Sequence, residues 1–202
     1  MSKTESLRKI KEAVVEVGGE LAELRKREKY FPVIGEGSHD AEIIFVGEAP
    51  GENEAKTGRP FVGRAGKFLD ELLASINIPR ESVYITNIVK DRPPKNRDPL
   101  PEEIALYAPF LDKQIEIIKP KIIATLGRFS MAYVMNRYGL DWELGPISNL
   151  HGKVFAVPSE ALAKLGYEGV KVVPLFHPAA AIYNQHLKGT LLEDFQVLKT
   201  LI

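Results

Sequence analysis

Three residues of different chemistry sit at the ends of apolar runs. Glu48 follows the run 42–46, Asn87 closes the run 83–88, and His177 follows the run 170–176. The carboxylate can orient water or take a proton. The amide donates and accepts hydrogen bonds at once, and the imidazole can donate one while neutral. Glu48 lies within Gly47-Glu48-Ala49-Pro50-Gly51, and a second glycine turn, Gly127, follows the run 121–126. Each feature also has a packing explanation. The glycine–proline loop can be a tight turn, Asn87 a turn former and His177 a structural histidine. The loop lacks a dinucleotide fingerprint, and no Gly-Lys-Ser/Thr follows it, which argues against a phosphate-cradling loop. His39, His151 and His186 lack ligand-like spacing, so no metal site is expected.

The elements that must position these residues follow from periodicity. Glu42–Val46, Val83–Ile88, Lys121–Leu126 and Val170–Phe176 are rich in Ile and Val and bounded by turn residues, the pattern of buried strands. Helical patterns lie between them over Gly66–Ile76, Pro101–Ile118 and Gly127–Tyr138, with Leu191–Ile202 at the end. Pro109 is expected to kink the second. Residues 1–30 form an N-terminal helical segment, with Leu7, Ile10, Val14 and Val17 on one face and Gly18-Gly19 interrupting it. The alternation predicts an α/β protein, a three-layer αβα sandwich with a central parallel four-stranded sheet, in one domain over 1–202. In such sheets the ligand crevice lies outside the carboxyl ends of the strands, where the two glycine turns, Asn87 and His177 would converge.

Composition narrows the class. Of 202 residues, 45% are apolar and 27% charged, the balance of a folded globular chain. No run of apolar residues is long enough to span a membrane. The first residues lack an apolar signal core, so the expected location is cytoplasmic. With no cysteine, disulfides, thiol nucleophiles and thiolate-held metals or clusters are excluded. Lys plus Arg equals Asp plus Glu at 27 each, so no global basic field draws the chain onto nucleic acid. A local patch remains open. Lys56, Arg59, Arg64 and Lys67 near the first loop, with Lys90, Arg92, Lys95 and Arg97 near the second, could form a phosphate-binding rim. The alternative is a solvated charged surface.

At this point the motifs carry a family likeness. Gly47-Glu48-Ala49-Pro50-Gly51-Glu52-Asn53-Glu54 and Thr57-Gly58-Arg59-Pro60-Phe61-Val62-Gly63-Arg64-Ala65-Gly66 resemble the first motif of family-4 uracil-DNA glycosylases. Ile85-Thr86-Asn87-Ile88-Val89-Lys90 with Arg92-Pro93-Pro94 resembles their second block, and Phe176-His177-Pro178-Ala179 their last. The likeness covers residues 33–202. It implies a monofunctional repair enzyme that hydrolyses the N-glycosidic bond of an extruded uracil. Phe61 would stack on the base, Asn87 read its edge and His177 face its O2 side. Glu54 would fill the space of a thymine methyl, and the backbone of Ala49 would touch the base. Glu48 would lie near the glycosidic bond, as the candidate that positions the water. The histidine-bearing insertion of covalently trapping relatives is absent, so no stable DNA adduct is expected.

The chain departs from that pattern where relatives bind a four-iron cluster through four cysteines. Glu20, Glu23, Asp91 and Tyr107 stand near those positions. No cofactor is therefore expected, and packing or ion pairs, such as those of Asp91 with neighbouring basic residues, are the expected replacement. Tyr183 stands where relatives often place an arginine, and His151 lies in a segment that often reads Val-Arg-Gly. Both positions bear on DNA clamping and base range. A shifted preference, such as hypoxanthine, and a non-catalytic DNA-binding module are the alternatives. The partners expected are uracil-containing DNA and, as a candidate, a sliding clamp, for a monomer with no membrane attachment.

Overall fold

The computed structural model describes residues 1–163 and 169–202. The N-terminal segment forms α1 (Lys3–Val15) and α2 (Glu20–Glu28). Ser2 caps α1: its hydroxyl accepts from Glu5 N–H at 3.2 Å, and the Glu5 carboxylate accepts from Ser2 N–H at 2.8 Å. Gly19 breaks the two helices apart at φ 99°, a backbone that costs glycine nothing. The chain continues through β1 (Glu36–Gly37), β2 (Ile43–Gly47), α3 (Glu52–Thr57), α4 (Arg64–Ser75) and β3 (Tyr84–Asn87). Next come α5 (Pro101–Ile118), β4 (Ile122–Leu126), α6 (Arg128–Arg137), α7 (Ile147–Leu150) and β5 (Phe155–Ala156). The last elements are α8 (Ser159–Ala163), β6 (Lys171–Leu175), α9 (Pro178–Tyr183) and α10 (His186–Lys199). No helix among the described residues is long and apolar enough to cross a membrane.

The sheet runs β1-β3-β2-β4-β6-β5. Its inner four strands are parallel and match the four apolar runs within a residue or so. The four-stranded expectation falls short by two antiparallel edge strands, β1 and β5. Each is two residues long, too short to show a period of two. From β2 the chain steps to β3, then crosses back over β2 to β4. That reversal of direction opens a crevice at the strands' carboxyl ends.

Strand side chains alternate between two apolar cores. Ile44, Val46, Ile123 and Val172 face one, with Leu7, Ile10 and Val14 of α1, Leu111 and Ile115 of α5 and Val134 of α6. Ile43, Phe45, Ile122, Val173 and Leu175 face the other, with Leu69 and Leu72 of α4 and Leu191 and Phe195 of α10. Each fully buried Leu or Ile contributes roughly 1.5–3 kcal/mol relative to exposure, so the two cores hold the sheet rigidly under the crevice. Helix α5 runs from Pro101 to Ile118 with Pro109 inside it.

Arg25 replaces the basic neighbour expected beside Asp91. It comes from α2, not from the loop 92–97. Its guanidinium donates to Asp91 Oδ2 at 2.8 Å and to the carbonyls of Val14 and Val15 at 3.2 and 2.6 Å. Tyr107 of α5 donates its hydroxyl to the same carboxylate at 2.6 Å. Arg25 and Asp91 are 6% and 1% exposed, so this is a buried ion pair. Burial pushes the Asp91 carboxyl up; Tyr107 and Arg25 oppose that. Two of the four positions where a cluster ligand was sought, Asp91 and Tyr107, thus bond to each other. The other two, Glu20 and Glu23, lie exposed. These residues do not fit a metal cluster. Among the described residues no group of three His, Asp or Glu could hold a metal ion.

Candidate active site

A cleft of about 570 Å³ lies at the carboxyl ends of the parallel strands. Its lining includes Glu48, Ala49, Glu54, Phe61, Asn87 and His177. All six catalytic and base-contacting residues expected from sequence therefore share one hollow, delivered by the ends of β2 and β3, by α3, by the loop before α4 and by the residue that caps α9.

Gly47 makes this convergence possible. It pairs with Asn87 across β2 and β3. A Cβ there would meet Asn87 Oδ1 and come within 2.8 Å of the Phe61 ring. The amide and the phenyl ring both rest on bare backbone, which only glycine offers. Phe61 itself takes φ 50°, a left-handed backbone that is uncommon for a large residue. Glu54 braces that bend. Its Oε1 accepts from Val62 N–H at 2.8 Å and Gly63 N–H at 2.7 Å.

His177 caps α9. Its Nδ1 accepts from Ala179 N–H at 3.1 Å. A ring nitrogen that accepts carries no proton, so the neutral ring bears its hydrogen on Nε2. Burial lowers the His177 pKa to about 4, against a smaller upward pull from Glu54. The ring is therefore neutral near pH 7. Gly127 supports it from behind: the turn has φ 98°, and a Cβ there would lie 3.3 Å from His177 Cβ.

Asn87 is 2% exposed, yet its side-chain amide makes no hydrogen bond to any described residue. A buried amide left open on the wall of a cleft has donors and an acceptor free for a ligand, and an unsatisfied polar group in a core is costly. Glu48 is half-buried. Desolvation raises its pKa to about 7; Asp98 adds to the rise and Arg128 opposes it. Neither Asp98 nor Arg128 was singled out from sequence. Their influence on Glu48 comes from the fold, although Asp98 directly follows the basic stretch 90–97.

The expected phosphate rim divides. Lys90 does not belong to it: the side chain is fully buried, at 0% exposure, and cannot reach a phosphate. Lys56 pairs with Glu52 at 2.6 Å, and Arg59 grips both oxygens of Glu36. Arg97 grips both oxygens of Glu103, and Arg92 spans Asn96, Tyr30 and Glu52. Arg64, Lys67 and Lys95 are exposed and form no ion pair with a described residue. Arg64 and Arg97 line the cleft. Of the two departures, His151 is held by Asp194 at 2.9 Å and does not line the cleft. Tyr183 does, and is 88% exposed at its mouth.

The chain is similar to known proteins over most of its length. A family model described as uracil DNA glycosylase superfamily matches residues 34–197. A type-4 uracil-DNA glycosylase of Sulfurisphaera tokodaii is 46% identical over 199 residues, 98% of this chain and 85% of that protein. One from Archaeoglobus fulgidus is 46% identical over 172 residues, 85% of this chain and 81% of its own. One from Thermotoga maritima is 45% identical over 172 residues, 84% of this chain and 82% of its own.

Proposed function

The chain belongs to the uracil DNA glycosylase superfamily, and from that premise we propose how it acts in DNA repair as a uracil-DNA glycosylase through this cleft. The nucleotide must leave the duplex first, at a cost of a few kcal/mol that is least for a mismatched pair. Phe61 offers the extruded base an aromatic wall. The open Asn87 amide accepts from N3–H and donates to O4 of uracil. Cytosine presents the opposite pattern on that edge, and a site built for one pattern rejects the other by about 10⁴ or more. Glu54 narrows the hollow against a thymine methyl, and the backbone at Ala49 completes the wall.

As the glycosidic bond breaks, electrons move to the base and positive charge grows on the sugar. The Nε2 proton of His177 faces the developing oxyanion at O2. A single preorganised donor of this kind is worth roughly 3–4 kcal/mol, and a neutral imidazole suffices. Water, positioned by Glu48, then adds to the sugar carbon and passes its proton to the Glu48 carboxylate, while the uracil leaves as an anion. The cleft lining includes no lysine among the described residues, which supports a monofunctional enzyme without a Schiff base. Arg64, Lys67 and Lys95, free of acidic partners among the described residues, are the cations best placed to meet phosphates. Lys56, Arg59, Arg92 and Arg97 would first have to loosen their carboxylates. We extend the reading to a cytoplasmic monomer; sedimentation of the purified protein tests the second part.

The observation that carries this reading is the pair of open polar groups, the Asn87 amide and the His177 Nε2–H, on one cleft beside Phe61. The experiment is incubation with an oligonucleotide bearing one uracil, followed by alkali. Strand cleavage at the uracil is expected, and none at cytosine or thymine. Intact DNA after long incubation with excess protein would refute the proposal. The capture of His151 by Asp194, away from the cleft, removes one reason for a shifted base preference; a hypoxanthine oligonucleotide in the same assay checks the other, Tyr183.

A further inference from the structure

Lys90 is a buried cation that none of the steps above uses. It is 0% exposed, and no carboxylate of a described residue pairs with it. Its Nζ donates to Gln114 Oε1 at 2.6 Å, to the main-chain oxygen of Asn87 at 2.7 Å and to Thr86 Oγ1 at 2.8 Å. The Ile34 carbonyl lies farther off, at 3.4 Å.

The protons around it are already assigned. The Thr86 hydroxyl donates its own proton to Ile34 O at 2.6 Å. The Gln114 amide nitrogen donates to Ile34 O at 2.9 Å and to Tyr84 Oη at 3.0 Å. Every close neighbour therefore turns a lone pair toward Nζ. Three protons meet three acceptors, the complement of an ammonium; a neutral amine would set its lone pair against an oxygen. Burial pulls the other way and lowers the lysine's pKa well below its ordinary value.

The contact to Asn87 has a consequence for the site. The peptide joining Asn87 to Ile88 is held at both ends. Its carbonyl accepts from Lys90, and its N–H donates to Gly47 O at 3.0 Å. Two opposed hydrogen bonds fix the peptide plane and so the ψ angle of Asn87. The Asn87 side chain has no hydrogen bond of its own to a described residue, so the direction of its amide depends on that backbone and on its packing against Gly47.

We propose that Lys90 is a positioning residue, whose ammonium pins the Asn87 carbonyl from behind and so aims the Asn87 amide at the uracil edge. This rests on the glycosylase reading for its kinetic consequence, though not for its structural one. A displaced recognition group of about 1 Å can cost roughly a hundredfold in rate.

The test is a double-mutant cycle with Asn87, read by single-turnover uracil release. Lys90→Met slows release by about ten- to a hundredfold, with affinity for uracil-free DNA unchanged. In an Asn87→Ala background the same change has less than about a twofold effect, because the amide to be aimed is gone. A purely structural role gives the same factor in both backgrounds and overturns the proposal, as does wild-type release by Lys90→Met. Where Lys90→Met fails to fold, Lys90→Gln serves in its place. A second readout needs no activity: the side-chain amide resonances of Asn87 in ¹H–¹⁵N spectra. They are dispersed in the parent protein and collapse toward averaged values in Lys90→Gln. Unchanged resonances refute the positioning role, whereas absent uracil release by the parent protein refutes the glycosylase reading alone.

Discussion

The ring of Phe61 and the imidazole of His177 stack with centroids 5.6 Å apart and planes inclined by 28°. The stack limits the tilt of the imidazole, and the Ala179 N–H fixes which nitrogen bears the proton. Both freedoms of the ring are used up before a substrate arrives. A donor prearranged in this way needs no reorganisation as charge develops.

Replacement of His177 removes that donor. His177→Ala is expected to slow single-turnover uracil release by roughly 10²–10³-fold, with the circular dichroism spectrum and DNA affinity retained. Equal rates for parent and variant would show that the imidazole takes no part.

The ionisation of Glu48 predicts a pH profile. Its pKa is raised to about 7, so the carboxyl is protonated below that value and ionised above it. An ionised Glu48 is the form that can orient water, so release should rise as pH passes from about 6 to 8 and then level off. His177, at about 4, stays neutral across that window and adds no slope. Glu48→Gln should flatten the rise and lower the plateau. A variant that keeps the same inflection would move the titration to another group.

The buried Arg25–Asp91 pair predicts an asymmetry in stability. Asp91→Ala leaves the Arg25 guanidinium buried without its counter-ion, at a cost of roughly 3–5 kcal/mol. Joint replacement, Arg25→Met with Asp91→Leu, should cost much less, because no lone charge remains. Urea unfolding of the parent, of both singles, Arg25→Met and Asp91→Leu, of Asp91→Ala and of the double variant measures this. Additive losses in the double variant would mean that the two side chains do not act as a pair.

The division of the cations predicts which ones contact DNA. Arg64→Gln and Lys95→Gln should each reduce the slope of log K against log salt by about one. Lys56→Gln and Arg59→Gln should change it less, since each already faces a carboxylate. Anisotropy titrations of a labelled duplex at several salt concentrations decide. The assignment fails if the paired residues carry the larger share.

Features with a short range along the chain could be read from residue order. The four inner strands showed themselves as Ile- and Val-rich runs between turns, and Glu48, Asn87 and His177 stood at their ends. The motif around Phe61 carried the family likeness without any coordinates. Lys90 shows where this stops. By type it matched Arg92, Lys95 and Arg97, and nothing nearby in the chain marked it as the one turned inward. Its partner Gln114 lies 24 residues away, and the Arg25 that meets Asp91 lies 66 residues away. Such pairings depend on which helix face docks on which strand, a matter of packing between distant segments. The same holds for the proton on His177 Nε2, for the raised pKa of Glu48 and for the two-residue edge strands. Local pattern sets elements and their order, whereas burial and partner, which decide what a charged side chain does, exist only once the layers close.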